Sequence, residues 1–135
     1  MQFAIVPLIK FEFMPLKQIG EFQPYIGSED NFQKSVARYL DALGVLWFHC
    51  PNGGSRNIME AAKMKAMGVK PGIPDVLILE LRQNKYGLAL ELKVGKNKLS
   101  EHQEAMRKRF IAHNWAIYTV YSLDHAISII DNYFS

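Results

Sequence analysis

Apolar positions recur along this chain in two rhythms. Phe32, Val36, Tyr39, Leu40 and Leu43 fall at helical spacing and predict one buried stripe on a helix from about Glu29 to Leu43. Ser28 is suited to cap its start, Glu29 and Asp30 suit the positive helix end, and Gly44 supplies the stop. Val45 to His49 reads as a strand, and a short helix comes next from about Ile58 to Met67, closed by Gly68. Lys70-Pro71-Gly72-Ile73-Pro74 has no helical option and predicts a rigid turn. Asp75 to Leu81 and Leu88 to Val94 are dense apolar runs separated by a turn at Arg82 to Gly87. They predict a β-hairpin of buried strands. A helix capped by Ser100, a strand from Trp115 to Tyr121 and a helix from Asp124 to Tyr133 complete the chain. The order α-β-(α)-β-β-α-β-α predicts an α/β layered domain with a mixed central sheet flanked by helices.

Residues 1–27 break this regularity. Gln2 to Met14 is apolar and β-prone, and Pro15, Gly20, Pro24 and Gly27 interrupt the stretch after it. We read an extra strand and an irregular arm of the kind that packs at a subunit interface, preceding a domain over residues 28–135. No internal repeat or linker divides the rest.

Composition narrows the class. A chain of 135 residues, 49% hydrophobic and 21% charged, can bury its own core as one globular domain. No window approaches the roughly 18 consecutive apolar residues of a membrane span, so no membrane partner is expected. The apolar start is short, interrupted by Pro7 and without a basic leader, unlike a signal peptide. Cys50 is the single cysteine, which excludes an internal disulfide and the zinc-finger classes and suits a reduced, intracellular protein. The net charge of +3 permits a polyanionic partner without demanding one. Bases do concentrate between Lys93 and Arg109, where Lys93, Lys96, Lys98, Arg107, Lys108 and Arg109 outnumber Glu101 and Glu104. That is either a basic patch or a solvated helix face.

The candidate chemistry lies on the hairpin. Glu91 and Lys93 stand two apart on a strand and project from the same face. A hairpin centred near residues 84–85 sets Asp75 opposite the neighbourhood of Lys93; a bulge or a two-residue slip brings it level with Glu91. Two carboxylates and an ammonium then meet at the end of strands whose Val76, Ile78, Leu88 and Leu90 are otherwise core. Burying two carboxylates side by side raises a pKa or calls for a cation. A hard divalent ion such as Mg2+ meets that demand through the carboxylates and a main-chain oxygen, with the carbonyl of Leu92 at hand. Such an ion activates water and stabilises charge on a phosphate, with Lys93 beside it. The plain alternative is a cross-strand salt bridge between Lys93 and Asp75.

Several short motifs in order resemble one known family. Ser28-Glu29 opens the first helix. Then come Asn52-Gly53-Gly54-Ser55-Arg56, Gly68 to Asp75, Ala89-Leu90-Glu91-Leu92-Lys93, and Leu99-Ser100-Glu101-His102-Gln103. Together, from about Ser28 to Tyr133, they resemble the virus-type replication-repair nuclease (VRR-NUC) domain of the PD-(D/E)xK nuclease superfamily. The resemblance implies a restriction-endonuclease-like core and cleavage of DNA with Mg2+ or Mn2+. It implies a metal site of Asp75, Glu91, the Leu92 carbonyl and Glu29, with Lys93 and Gln103 in the catalytic centre. Stand-alone members resemble Holliday junction resolvases and act as homodimers, so branched DNA is the expected partner. Asn52, Arg56, Lys96, Lys98 and Ser100 are the expected DNA contacts. Rival classes are a non-catalytic nucleic-acid-binding subunit and a restriction-type duplex nuclease.

Three of these features also have a simpler reading. Glu29 suits any helix start. Ser100 and Gln103 form a capping-box pattern. Asn52 to Arg56 would serve as a plain glycine turn. His49, His102, His113 and His125 are scattered without ligand spacing, and Trp47, Trp115, Tyr133 and Phe134 read as core or interface.

Overall fold

The structure is a computed structural model and describes residues 24–51 and 57–135. In chain order the elements are α1 (Glu29–Leu43), β1 (Trp47–Phe48), α2 (Ile58–Ala66), β2 (Val76–Ile78), β3 (Leu88–Leu92), α3 (Glu101–Ala112), β4 (Ala116–Val120) and α4 (Leu123–Phe134). This is the expected succession with shorter strands. The expected strand within Gln2–Met14 and the loop Asn52–Arg56 lie outside the described residues.

The four strands form one mixed sheet in the order β1-β2-β3-β4. The first two pairings are antiparallel and the last is parallel. Leu88, Leu90 and Leu92 of β3 join Val76 and Ile78 of β2 in a core with Phe32, Val36 and Leu40 of α1 and Ala126, Ile129, Ile130 and Tyr133 of α4. Phe32, Val36 and Leu40 of the expected stripe are therefore the face that α1 lays on the sheet, with Tyr39 packed beside them, whereas Leu43, at the last turn, is exposed. Ala89 and Glu91, which alternate with the leucines, point to the opposite face. There Gln103 of α3 bonds to Glu91, so α3 covers that side. β3 is thereby buried at all five positions.

The hairpin register departs from the symmetric expectation. The two central turn residues are Gln83 and Asn84, both with positive φ (51° and 58°), flanked by the Arg82–Lys85 bridge. Positive φ at both central positions marks a type I′ turn, whose twist matches the flanking strands. Gln83 tolerates this because its side-chain amide donates to the carbonyls of Asn132 and Tyr133 at the end of α4. Beyond the turn, Leu79 to Leu81 face only Tyr86 and Gly87 before Ile78 pairs with Leu88. The turn thus sits earlier than residues 84–85, and one extra residue bulges on the β2 side. Val76 pairs with Leu90, and the next step of that register sets Asp75 level with Glu91, not with Lys93.

Two further contacts fix the sheet end where these residues lie. Gly72 (φ 79°) presses against the first turn of α3, where a Cβ would stand 2.4 Å from the His102 carbonyl oxygen and 2.8 Å from the Gln103 nitrogen. Only glycine combines that conformation with that approach. Tyr25, at the end of the expected arm, donates its N–H to the Tyr121 carbonyl and stacks on Phe32 with ring centroids 4.8 Å apart.

Candidate active site

Asp75 leaves the Pro71–Pro74 turn at the start of β2. Its Oδ2 accepts the main-chain N–H of Leu92 at 2.7 Å, which ties the hairpin together at the site. Successive peptide groups alternate sides along a strand, so the Leu92 carbonyl faces this same side. Glu91 is only 4% exposed. Its carboxyl is pushed up to about 9, first by burial, then by the charge of Asp75 and a hydrogen bond with it, with Glu29 adding a smaller push and Lys93 opposing. Asp75, Lys93 and Glu29 are therefore each within electrostatic reach of Glu91. Lys93, half-buried, continues from β3 with its N–H donated to the Val120 carbonyl.

The cross-strand salt bridge between Lys93 and Asp75 does not form. Ion pairs among the described residues are Arg82–Glu80 and Arg107–Glu104. Nor do three His, Cys, Asp or Glu side chains gather as a ready-made metal cage among the described residues. What the site offers is two carboxyls, one buried, with a main-chain oxygen beside them. That donor set suits an ion that takes one or two carboxylates and keeps several waters, as Mg2+ does. Glu29, exposed at the first turn of α1, is at the periphery.

Gln103 both caps α3 and contacts Glu91. Its Oε1 accepts the N–H of Ser100 at 2.9 Å, and Ser100 Oγ accepts the Gln103 N–H at 3.2 Å, completing a capping box. Its Nε2 donates to Glu91 Oε1 at 2.9 Å. The cap fixes the orientation of the amide and so presents its N–H group to the buried carboxyl. Ser100, Lys96 and Lys98 are exposed on the segment linking β3 to α3. Asn52 and Arg56 lie outside the described residues.

The motif reading overlooked His49. Its Nδ1 stands 2.6 Å from the main-chain oxygen of Asp75. The two residues are 26 apart in the chain, and only the pairing of β1 with β2 brings them together. No local spacing announces it. Trp47 packs on the core, with its indole N–H donated to Asp41 at 2.8 Å, and Trp115 stands edge-on to Phe110 at 5.2 Å. Neither is a free stacking platform.

A family model described as the VRR-NUC domain matches residues 29–123. The chain belongs to this family. VRR-NUC domains are generally nucleases, and the match runs from the first-helix acid through α3 to the start of α4. No curated protein matches the chain. Among solved structures, one described as a VRR_NUC domain protein is 25% identical and superposes with a TM-score of 0.68, over 83% of this chain and 90% of that one. Another, described as a VRR_NUC domain, is 23% identical with a TM-score of 0.53, over 78% and 96% of the two chains; it supports the fold. Among the described residues no helix is long and apolar enough to cross a membrane.

Proposed function

We propose that this VRR-NUC chain is a divalent-metal-dependent endonuclease that hydrolyses phosphodiester bonds in branched DNA such as Holliday junctions or flaps. The observation that carries the reading is the Asp75–Glu91 pair. A buried carboxyl pushed up to about 9 beside a second carboxyl, without an ion-pair partner among the described residues, is a site short of positive charge. Asp75, Glu91 and the Leu92 carbonyl would hold Mg2+ or Mn2+, with Glu29 in support through water. When bound, the ion supplies an activated water and charge stabilisation on the phosphate.

The chain's own groups do the rest. Lys93 places its ammonium beside the carboxyls, where negative charge develops on the phosphate. Gln103 holds Glu91 in one orientation. Lys96, Lys98 and Ser100, with Asn52 and Arg56, would meet the DNA backbone. The element order and the helix-flanked sheet fit the PD-(D/E)xK arrangement. A homodimer would set two such sites on the two strands of a symmetric junction. We favour recognition of DNA shape over recognition of sequence, since contacts from Lys96, Lys98 and Ser100 to phosphates carry no sequence information directly.

The test is a panel of labelled duplex, flap, fork, bubble and four-way substrates assayed with Mg2+ and with Mn2+, with a chelator control. Cleavage of branched substrates should vanish with the chelator and in Asp75→Asn. Binding without cleavage under either metal would mark a non-catalytic subunit, and discrete bands from linear duplex a restriction-type enzyme.

A further inference from the structure

Asp75 is held from two sides. The Leu92 N–H holds its carboxylate at 2.7 Å, while the His49 ring holds its main-chain oxygen at 2.6 Å. A carbonyl oxygen only accepts, so His49 donates from Nδ1. Continuing the β1–β2 register would set Cys50 across from Asp75, yet the β1 strand ends at Phe48 and Pro51 has no N–H to offer. Beyond Phe48 the ring of His49 therefore ties β1 to the peptide that carries Asp75.

That peptide needs tying. It comes after a turn held against α3 at Gly72, and β2 itself is only three residues long. A shift of the Asp75 main chain would move its carboxylate relative to Glu91, which β3 and Gln103 hold separately. We propose that His49 is a positioning residue of the candidate metal centre: its Nδ1–H fixes the Asp75 peptide and thereby sets the carboxylate's direction toward the ion. It acts through Asp75, not on the DNA. The inference rests on the metal-site reading of the Asp75–Glu91 pair.

The experiment is calorimetric titration of the metal-free protein with Mn2+ alone, beside thermal melting, for the parent, Asp75→Asn, His49→Ala, His49→Asn and His49→Gln. Asparagine can set an N–H close to where Nδ1 stands; glutamine sets it near Nε2. His49→Ala should weaken Mn2+ binding by about tenfold or more, the usual scale for a group supporting a metal ligand. His49→Asn should restore most of the affinity and His49→Gln should not. Parent-like binding by His49→Ala, or equal binding by the asparagine and glutamine variants, overturns the proposal while Asp75→Asn still abolishes binding. Should His49→Ala fail to fold, the asparagine–glutamine comparison decides. Unchanged binding in Asp75→Asn overturns the metal reading and this inference with it.

Discussion

Gln103 donates its side-chain amide to the buried carboxyl of Glu91 at 2.9 Å while the other end of the same amide caps α3. A helix cap and a contact to the candidate metal ligand are thus one group, and the entry of α3 is coupled to the orientation of Glu91. Structure and chemistry at this position separate by substitution. Gln103→Glu keeps an acceptor for the Ser100 N–H but loses the donor to Glu91; Gln103→Ala loses both. At saturating Mg2+, denaturant unfolding should show Gln103→Ala destabilised by about 1 kcal/mol and Gln103→Glu close to the parent. Both should cleave more slowly. Full activity in Gln103→Glu would reduce the residue to a cap.

Lys93 should matter to turnover more than to folding. The residue is half-buried and has no ion-pair partner among the described residues. Lys93→Ala should lower the single-turnover cleavage rate by about a hundredfold to a thousandfold, the scale for one lost preorganised charge-stabilising donor. Its circular dichroism and melting should stay near those of the parent. A rate within a fewfold of the parent would remove Lys93 from the catalytic centre.

Stability of the metal-free protein should depend on pH through Glu91. Burial, and then Asp75, raise its carboxyl from 4.5 to about 9. Between those values the unfolded chain has released this proton and the folded chain retains it. The folded state binds more protons, so stability falls as pH rises through that window. Melting temperature should decline from mildly acidic to alkaline pH, and Glu91→Gln should flatten the decline. A parent and variant with parallel profiles would contradict the assignment.

Gly72→Ala tests the turn that aims Asp75. The added methyl would meet main-chain atoms of α3 at 2.4 Å in a conformation with φ of 79°. Neither obstacle yields by a side-chain rotation. A loss of about 1–3 kcal/mol is expected by denaturant titration, with weaker Mn2+ binding in the folded fraction. An unperturbed variant would mean that the turn and α3 can separate cheaply.

Lys96 and Lys98 should report on DNA phosphates. Each is exposed beside the site. Replacing either by alanine should weaken binding to all substrates alike and reduce the slope of log K against log salt by about 1 for each lost phosphate contact. An unchanged slope would place the DNA path elsewhere.

Much of this was legible in the pattern of residues, and the remainder was hidden for identifiable reasons. The stripe from Phe32 to Leu40 and the cap at Ser28 bounded α1 at Glu29 and Leu43, because local periodicity and capping chemistry act within a few residues. Strand parity set Glu91 and Lys93 on one face, while the level of Asp75 stayed open between Lys93 and, with a bulge or slip, Glu91. The register was not legible, because it depended on a bulge at Leu79–Leu81 and on a turn made by Gln83 and Asn84 without a glycine. Gln83 adopts that turn through a bond to the far end of the chain, which no local reading exposes. The His49–Asp75 bond was hidden likewise, since it arises from sheet pairing across 26 positions.

β3 lies in the middle of the sheet with a bonded neighbour on each side, and Glu91 rides on it. Such a strand is among the last parts of a domain to exchange its amide protons with solvent. Glu91 is thereby mounted where local breathing is rarest. Heat inactivation should then coincide with global melting, and no peptide excised around Glu91 and Lys93 should retain the chemistry by itself.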